Sequence, residues 1–368
     1  MNITLCLTHD CNLRCRYCYA GRKFARSMSW EVAQRAIDIG LAGRPGLVDL
    51  SFFGGEPLLE FPMLQRCVAY ARERAAGTGT RLRLQVTTNA TLLTEEIARW
   101  LRAESFYVGI SLDGVREAHD AARRTCGGAS SFDAALRGLD IALAQGLRLE
   151  VIAVVDPANV RWLAESAAFL ADRGVPKIAL NPNFSGNWTD DTCAELERQY
   201  ARVVDDWVRR YREGRPAWVN FVDGKIITRL KRGFSCRDKC GLGGREIAVA
   251  PSGNFYPCER LVADDTDAAM VMGTVFDGID PASRQRYTQR STKANPACDG
   301  CALRDRCMNW CGCTNYMLTG DIDVAGGALC WHEQVAIREA DRAGAILFAE
   351  GNPSFLREYY RMETPLCV

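Results

Sequence analysis

The chain lacks a net charge: 46 Lys and Arg against 45 Asp and Glu leave +1 over 368 residues. That balance supplies no field for a phosphate backbone or an anionic lipid surface, so neither nucleic acid nor membrane is expected as a primary partner. The sequence does not start with a charged segment followed by an apolar one, and no apolar run approaches the length of a membrane span. A soluble, cytoplasmic protein is the expectation. Internal repeats and low-complexity segments are absent too. Lys is scarce, six residues against forty Arg, a bias that decides nothing about function.

What abounds is cysteine, 17 residues. In a reducing compartment a cysteine-rich chain with CxxC spacings reads as metal-binding rather than disulfide-stapled. The length exceeds one typical domain, so two domains sharing an interface are expected. Up to about residue 215, short β-branched or aromatic runs alternate with amphipathic stretches, the signature of βα units around a parallel sheet. Strands are read at Ile3–Leu7, Asp49–Phe53, Leu82–Thr88, Tyr107–Leu112, Leu149–Val155 and Lys177–Leu180, with helices near 30–42, 61–76, 94–103, 131–145 and 160–173. Ser29, Thr94 and Ser131 are read as helix caps. The class is α/β, and six βα units suit a partial (β/α)6 TIM-like barrel, whose functional groups gather at the C-terminal strand ends.

After a polar helix at 189–213 the periodicity breaks down, and cysteines take over from Cys236 to Cys330. That segment is expected to take its framework from metal. The expected division is a barrel over 1–215, a connector over 216–235, a cysteine-rich domain over 236–332 and a C-terminal part over 333–368, whose helix Glu333–Phe348 packs back on the barrel.

The first strand runs into Cys11-Asn12-Leu13-Arg14-Cys15-Arg16-Tyr17-Cys18. Three thiolates on a short loop can hold three irons of a [4Fe–4S] cube and leave the fourth open for chemistry. A zinc knuckle is the competing reading, with His9 as fourth ligand. The motif CxxxCxΦC, with Tyr17 as its aromatic, resembles the radical S-adenosylmethionine (radical SAM) enzymes. In that family the open iron chelates SAM, and an electron from the reduced cluster, supplied by an external donor of the flavodoxin or ferredoxin type, cleaves it to a 5′-deoxyadenosyl radical.

Further motifs carry the resemblance along the strand ends. Strand two ends in Gly54-Gly55-Glu56-Pro57, where glycines admit a close backbone approach and Glu56 presents an acceptor; in the family this run contacts the SAM amino group. Strand three ends in Thr87-Thr88-Asn89-Ala90, close to the family's Thr-Asn-Gly, with Ala90 a departure. Strand four ends in Ser111-Leu112-Asp113-Gly114 and runs on to His119, Asp120 and Arg123. In peptide-modifying relatives such a Ser touches the SAM ribose. His119 is read as a helix-capping or surface residue in preference to a functional one. Arg123 or Arg124 offers a planar fork to the SAM carboxylate, and the sequence leaves both open.

The later cysteines read Cys240-x12-Gly253-x4-Cys258, then Cys298-x2-Cys301-x5-Cys307-x3-Cys311, then Cys330. This resembles the seven-cysteine pattern of SPASM domains, which carry two auxiliary clusters, and Cys236 supplies an eighth thiolate. The resemblance implies Cys236, Cys240, Cys258 and Cys311 on one [4Fe–4S] cluster, and Cys298, Cys301, Cys307 and Cys330 on another, three clusters in all. Cys313 remains an alternative ligand beside Cys311. The other thiols (Cys6, Cys67, Cys126, Cys193 and Cys367) read as buried or incidental. In related anaerobic sulfatase maturases an Asp stands where this chain has Glu259, which makes Glu259 the candidate catalytic base.

The resemblance implies a maturase that oxidatively modifies a ribosomally made peptide or protein, forming a thioether, carbon–carbon or carbon–heteroatom crosslink. Formylglycine formation and a non-catalytic electron-transfer role are the alternatives. Because the cluster motif begins at Cys11, leader recognition is expected to fall to a separate small protein or to a surface such as Trp218–Phe234, read as a possible strand edge.

Overall fold

The computed structural model describes residues 1–42, 46–289 and 298–360. Along the chain run strand β1 (Asn2–Cys6), helix α1 (Trp30–Leu41), β2 (Leu47–Phe53), α2 (Phe61–Thr78), β3 (Arg81–Thr88), α3 (Glu95–Ala103), β4 (Tyr107–Ser111), α4 (Arg116–Asp120), α5 (Phe132–Ala144), β5 (Arg148–Val155), α6 (Leu163–Asp172), β6 (Lys177–Pro182) and α7 (Asp190–Arg212). There follow β7 (Trp218–Val219), α8 (Asn220–Leu230), β8 (Glu246–Val249), β9 (Phe255–Tyr256), β10 (Gly273–Thr274), β11 (Gly278–Ile279), α9 (Pro281–Thr288), α10 (Gly312–Thr319), α11 (Gly327–Ala349) and α12 (Pro353–Tyr360). The fold is α/β with parallel strands, in the strand–helix order of a partial (β/α)6 barrel and with a cysteine-rich C-terminal part. Among the described residues, no helix is long and apolar enough to cross a membrane.

The chain divides into two compact units. The first comprises, of the described residues, 1–42, 46–111, 123–149 and 241–289. Its sheet places β1 between β2 and β8, both parallel to it, with Leu5 opposite Phe52 on one side and Val249 on the other. Strands β3 and β4 continue the parallel order beyond β2, and β9 pairs antiparallel with β8. Leu5, Leu50, Phe52, Val86, Val108 and Ile110 are buried, each contributing about 1.5–3 kcal/mol by leaving water. Helix α1 buries Val32, Ala33, Ala36, Ile37, Gly40 and Leu41, a stripe at helical spacing. Ser29 and Thr94 cap their helices by accepting the Val32 and Ile97 amides. Ser131 does not: its hydroxyl donates to the Arg123 carbonyl at 2.8 Å, tying the start of α5 to the preceding loop.

Strand β8 lay outside the sequence expectation. Ile247, Ala248 and Val249, with Ala250 after them, are fully buried, so part of the cysteine-rich segment is built into the barrel's own sheet by apolar burial.

The second unit comprises, of the described residues, 112–122, 150–240 and 298–360. Here β5, β6 and β7 are parallel, with Val151 opposite Ile178 and Lys177 opposite Trp218. Helices α7, α8 and α11 pack together, Tyr200 stacking on Phe221 at 4.1 Å. The stretch 218–234 is not the strand edge considered above. Only Trp218 and Val219 pair as a strand, and both lie against β6; residues 220–230 are α8, whose Phe221, Val222 and Ile226 are buried, and 231–234 form a turn after it. Helix α11 starts six residues before the expected Glu333, so Cys330 stands on its first turn.

Candidate functional site

The loop after β1 carries the three-cysteine motif, and its shape is set locally. Thr8 Oγ1 accepts the Asp10 amide (3.0 Å), Asp10 Oδ1 accepts the Cys11 amide (2.8 Å), and the Cys18 amide bonds the Cys15 carbonyl (3.1 Å). Cys11 is buried, Cys15 half-buried and Cys18 exposed. The Leu13 amide and Asn89 Nδ2 both point at Cys11 Sγ, at 3.4 and 3.8 Å, as donors to a cluster sulfur do.

Two strand ends and the segment after α4 close around this loop. From β2, the Gly55 amide bonds the Thr8 carbonyl (2.7 Å) and the Glu56 amide the Asp10 carbonyl (2.9 Å). A Cβ on Gly55 would collide with the Asp10 carbonyl, and Gly54 has φ +135° against the Thr8 backbone. The glycine pair is therefore required by the cysteine loop itself. From β3, Thr88 Oγ1 and the Asn89 amide donate to opposite oxygens of the Glu56 carboxylate, at 2.6 and 2.8 Å, while the Leu58 amide adds a third bond. Burial pushes the Glu56 carboxyl up to about 7 against those donors. The carboxylate thus locks β2 to β3, and Pro57 opens the short helical turn behind it. Asn89 continues the network to Asn12 Oδ1 (2.9 Å), and Asn12 to Thr91 (2.7 Å).

The third side is the segment after α4. The Arg124 carbonyl accepts the Arg14 amide (2.7 Å), and the Asn12 carbonyl accepts the Cys126 amide (3.3 Å). Arg123 is buried with its guanidinium 5.3 Å from the centre of the Tyr17 ring, whereas Arg124 is exposed. Of the two arginines left open by the sequence, Arg123 stands beside the motif. Cys126 is exposed rather than buried, and its thiol faces the Cys11 and Asn12 carbonyls. Ser111 closes β4, half-buried. Asp113, in the second unit, bonds the Val154 amide at 2.9 Å.

The Cys258 loop reaches the same region of the first unit. Cys258 is buried and its thiol faces Glu259 Oε2 at 3.4 Å. Burial drives the Tyr19 phenol well up, and Glu259, Cys258 and Cys18 all add to it. The Arg260 guanidinium, next to the candidate base in sequence, lies 5.2 Å from the centre of the Tyr19 ring. Arg22 pairs with Asp264 at 2.9 Å, and His9 faces Asp265 at 3.9 Å while stacking on Phe24. His9 is thus turned to a carboxylate of the Cys258 loop. Sequence reasoning passed over Asn12, Asp264 and Asp265; the last two had no signal beyond their nearness to Cys258.

In the second unit, burial raises the Cys298 thiol, with Cys301 and Cys330 adding to it, and Cys298 is in turn among the neighbours that raise Cys307. Electrostatically, Cys301 and Cys330 thus act on Cys298, and Cys298 on Cys307. Cys311 and Cys313 are both buried with their sulfurs 3.6 Å apart, which keeps both in play as ligands. Cys236 and Cys240 are exposed in this unit, while Cys258 belongs to the first; Cys367 lies outside the described residues. Cys6 and Cys67 are buried and Cys193 half-buried. Among the described residues, no three His, Cys, Asp or Glu side chains converge as ligands of a single ion would; a cube spreads its thiolates over separate irons. The donor set, thiols with amide donors aimed at Cys11 Sγ, fits a cluster, and burial holds the Cys11 thiol at about 12, so it is coordination that would deprotonate it.

Residues 5–170, strand ends and cysteine loop included, match the radical SAM superfamily. The chain carries a radical SAM domain. Two relatives share 33% identity with it, an uncharacterized protein of Methanocaldococcus jannaschii over 180 residues and the Fe-coproporphyrin III synthase of Methanosarcina barkeri over 228. They cover 49% and 59% of this chain, which spans 62% and 54% of their length. The cysteine-type anaerobic sulfatase-maturating enzyme of Clostridium perfringens is 22% identical over 320 residues, 82% of this chain and 85% of that one. The solved structure of native anSMEcpe with bound AdoMet and Cp18Cys peptide superposes at TM-score 0.79 and 19% identity, covering 94% of this chain and all of that one. Streptococcus suis SuiB bound to precursor peptide SuiA reaches 0.62 at 15% identity, over 89% and 75%. The fold of this chain is shared with those structures well beyond residues 5–170.

Proposed function

We propose that the protein is a radical SAM maturase with two auxiliary clusters that oxidatively modifies a ribosomally made peptide or protein, forming a thioether, carbon–carbon or carbon–heteroatom crosslink. The observation that carries this reading is the packing of the segment after Cys258 on the cysteine loop, with the Arg260 guanidinium 5.2 Å from the centre of the Tyr19 ring and Arg22 paired with Asp264 at 2.9 Å. When bound, the cluster and SAM supply a 5′-deoxyadenosyl radical able to take a hydrogen atom from an unactivated C–H bond. The chain's own residues do the rest. Cys11, Cys15 and Cys18 hold the cube, Gly54 and Gly55 keep the approach to it open, and the Glu56–Thr88–Asn89 network fixes the loop. Tyr17 and Arg123 close one side, Ser111 and Asp113 follow at the end of β4, and Glu259 takes the proton released from the substrate. Cys236, Cys240, Cys258 and Cys311 would hold one auxiliary cluster and Cys298, Cys301, Cys307 and Cys330 another, which would supply an acceptor for the second electron, while an external donor protein would supply the first. Peptide binding by anSMEcpe and SuiB supports a peptide substrate, recognised by this chain or with a separate leader-binding protein.

A second reading is formylglycine formation, favoured by the alignment with the sulfatase-maturating enzyme over 82% of the chain. Anaerobic incubation with SAM, dithionite and a synthetic Cys-containing peptide separates the two. A peptide lighter by two hydrogens supports crosslinking, and exchange of sulfur for oxygen supports formylglycine. No deoxyadenosine from a fully clustered sample overturns both.

A further inference from the structure

Lys225 sits in the apolar run Phe221-Val222-Asp223-Gly224-Lys225-Ile226-Ile227 and is buried on α8. Its partner Glu333, also buried, lies three residues after Cys330 on α11, with Nζ and Oε2 2.5 Å apart. Taking two such ions out of water costs several kcal/mol each, and the cost is met only when the remaining donors and acceptors are satisfied. Here they are satisfied by one short segment. Lys225 Nζ donates to the Arg306 carbonyl at 3.1 Å, and Glu333 Oε2 accepts the Met308 amide at 2.8 Å. These are the peptide groups on either side of Cys307. Arg306 closes the clamp by donating to the Lys225 carbonyl (3.1 Å) and to both oxygens of Asp341 (2.7 and 2.9 Å). On its far side Glu333 faces His332, which bonds the Tyr200 hydroxyl at 2.8 Å. The pair therefore joins the backbone around Cys307 to the helix turn that bears Cys330.

We propose that Lys225 and Glu333 are positioning residues for the cluster held by Cys298, Cys301, Cys307 and Cys330, fixing Cys307 against Cys330 and setting the charge beside that cluster. This rests on the reading of those four cysteines as ligands. Cluster potentials follow net charge and hydrogen bonding nearby, so the two members act with opposite sign. Lys225→Met leaves an anion beside the cluster and lowers its midpoint potential; Glu333→Gln leaves a cation and raises it.

The test is iron content and EPR-monitored redox titration of the anaerobically reconstituted full chain. Opposite shifts of one cluster's midpoint in Lys225→Met and Glu333→Gln, with Lys225→Arg restoring the original value, support the proposal. Because a half-pair buries an unpaired charge, the double variant Lys225→Met/Glu333→Leu is measured alongside, an apolar replacement expected to keep the fold. In it the clamp is gone, so iron falls from about twelve toward about eight per chain, a loss of one four-iron cube, while the signal of the Cys11–Cys18 cluster stays. Full iron with unmoved midpoints in all these variants overturns the proposal. Cys307→Ala tells the two failures apart: full iron in that variant overturns the ligand reading itself, whereas lost iron there with intact pair variants overturns only the role of the pair.

Discussion

The two cysteine regions are held in opposite ways. Around Cys11–Cys18 the barrel does the holding: backbone bonds from Thr8, Asp10, Gly55 and Arg124, and a buried carboxylate on β2 and β3, define the loop before any metal arrives. Cys298, Cys301, Cys307 and Cys330 are half-buried or exposed, and one buried ion pair stands in for the sheet. The difference teaches that the first site is a property of a parallel sheet's C-terminal edge. On the proposed reading, the second becomes fully defined only when a cluster binds.

The largest expected effect breaks the comparison at the ligands. Cys18→Ala abolishes deoxyadenosine formation, whereas Cys298→Ala abolishes modified peptide while deoxyadenosine still forms, read by chromatography and mass spectrometry of the same reaction. Next, Gly55→Ala puts a methyl into the Asp10 carbonyl, and overpacking of this kind costs about 1–3 kcal/mol or more. A melting temperature unchanged in that variant would contradict the cradle.

A third prediction concerns the other buried charge on α8. Burial pushes the Asp223 carboxyl up to about 7 although Tyr359, the Val219 amide and Trp207 all donate to it. The folded chain then holds a proton that the unfolded chain has lost, so this contribution is full below about pH 4 and is lost as pH rises through 7, a change on the order of a few kcal/mol. Asp223→Asn should flatten stability over that window, seen in denaturant midpoints measured from pH 4 to 8. The smallest effect belongs to Ala90, at φ +59° where relatives carry Gly. Left-handed backbone costs a non-glycine residue about 1 kcal/mol, so Ala90→Gly should raise the melting temperature slightly.

Much of this was legible in the sequence because the barrel obeys local rules. Alternating burial placed β2, β3 and β5 within two residues, and the strand ends named Gly54, Gly55 and Glu56. The roles were less legible than the positions. Glu56 reads as an acceptor for a ligand, yet its oxygens serve Leu58, Thr88 and Asn89. Strand β8 was hidden because four buried apolar residues among turns carry no period. Lys225 and Glu333 lie 108 residues apart, and no local pattern pairs them; a solitary Lys in an apolar run was the one available signal.

The account's central claim is that the Cys11–Cys18 loop generates the radical that modifies a peptide. The most direct measurement quantifies 5′-deoxyadenosine and modified peptide together, in the reconstituted chain and in Cys15→Ala, with iron counted in both. The account predicts coupled formation of the two products, lost in the variant while auxiliary iron remains. Deoxyadenosine undiminished in Cys15→Ala, or none from the fully loaded chain, would contradict it.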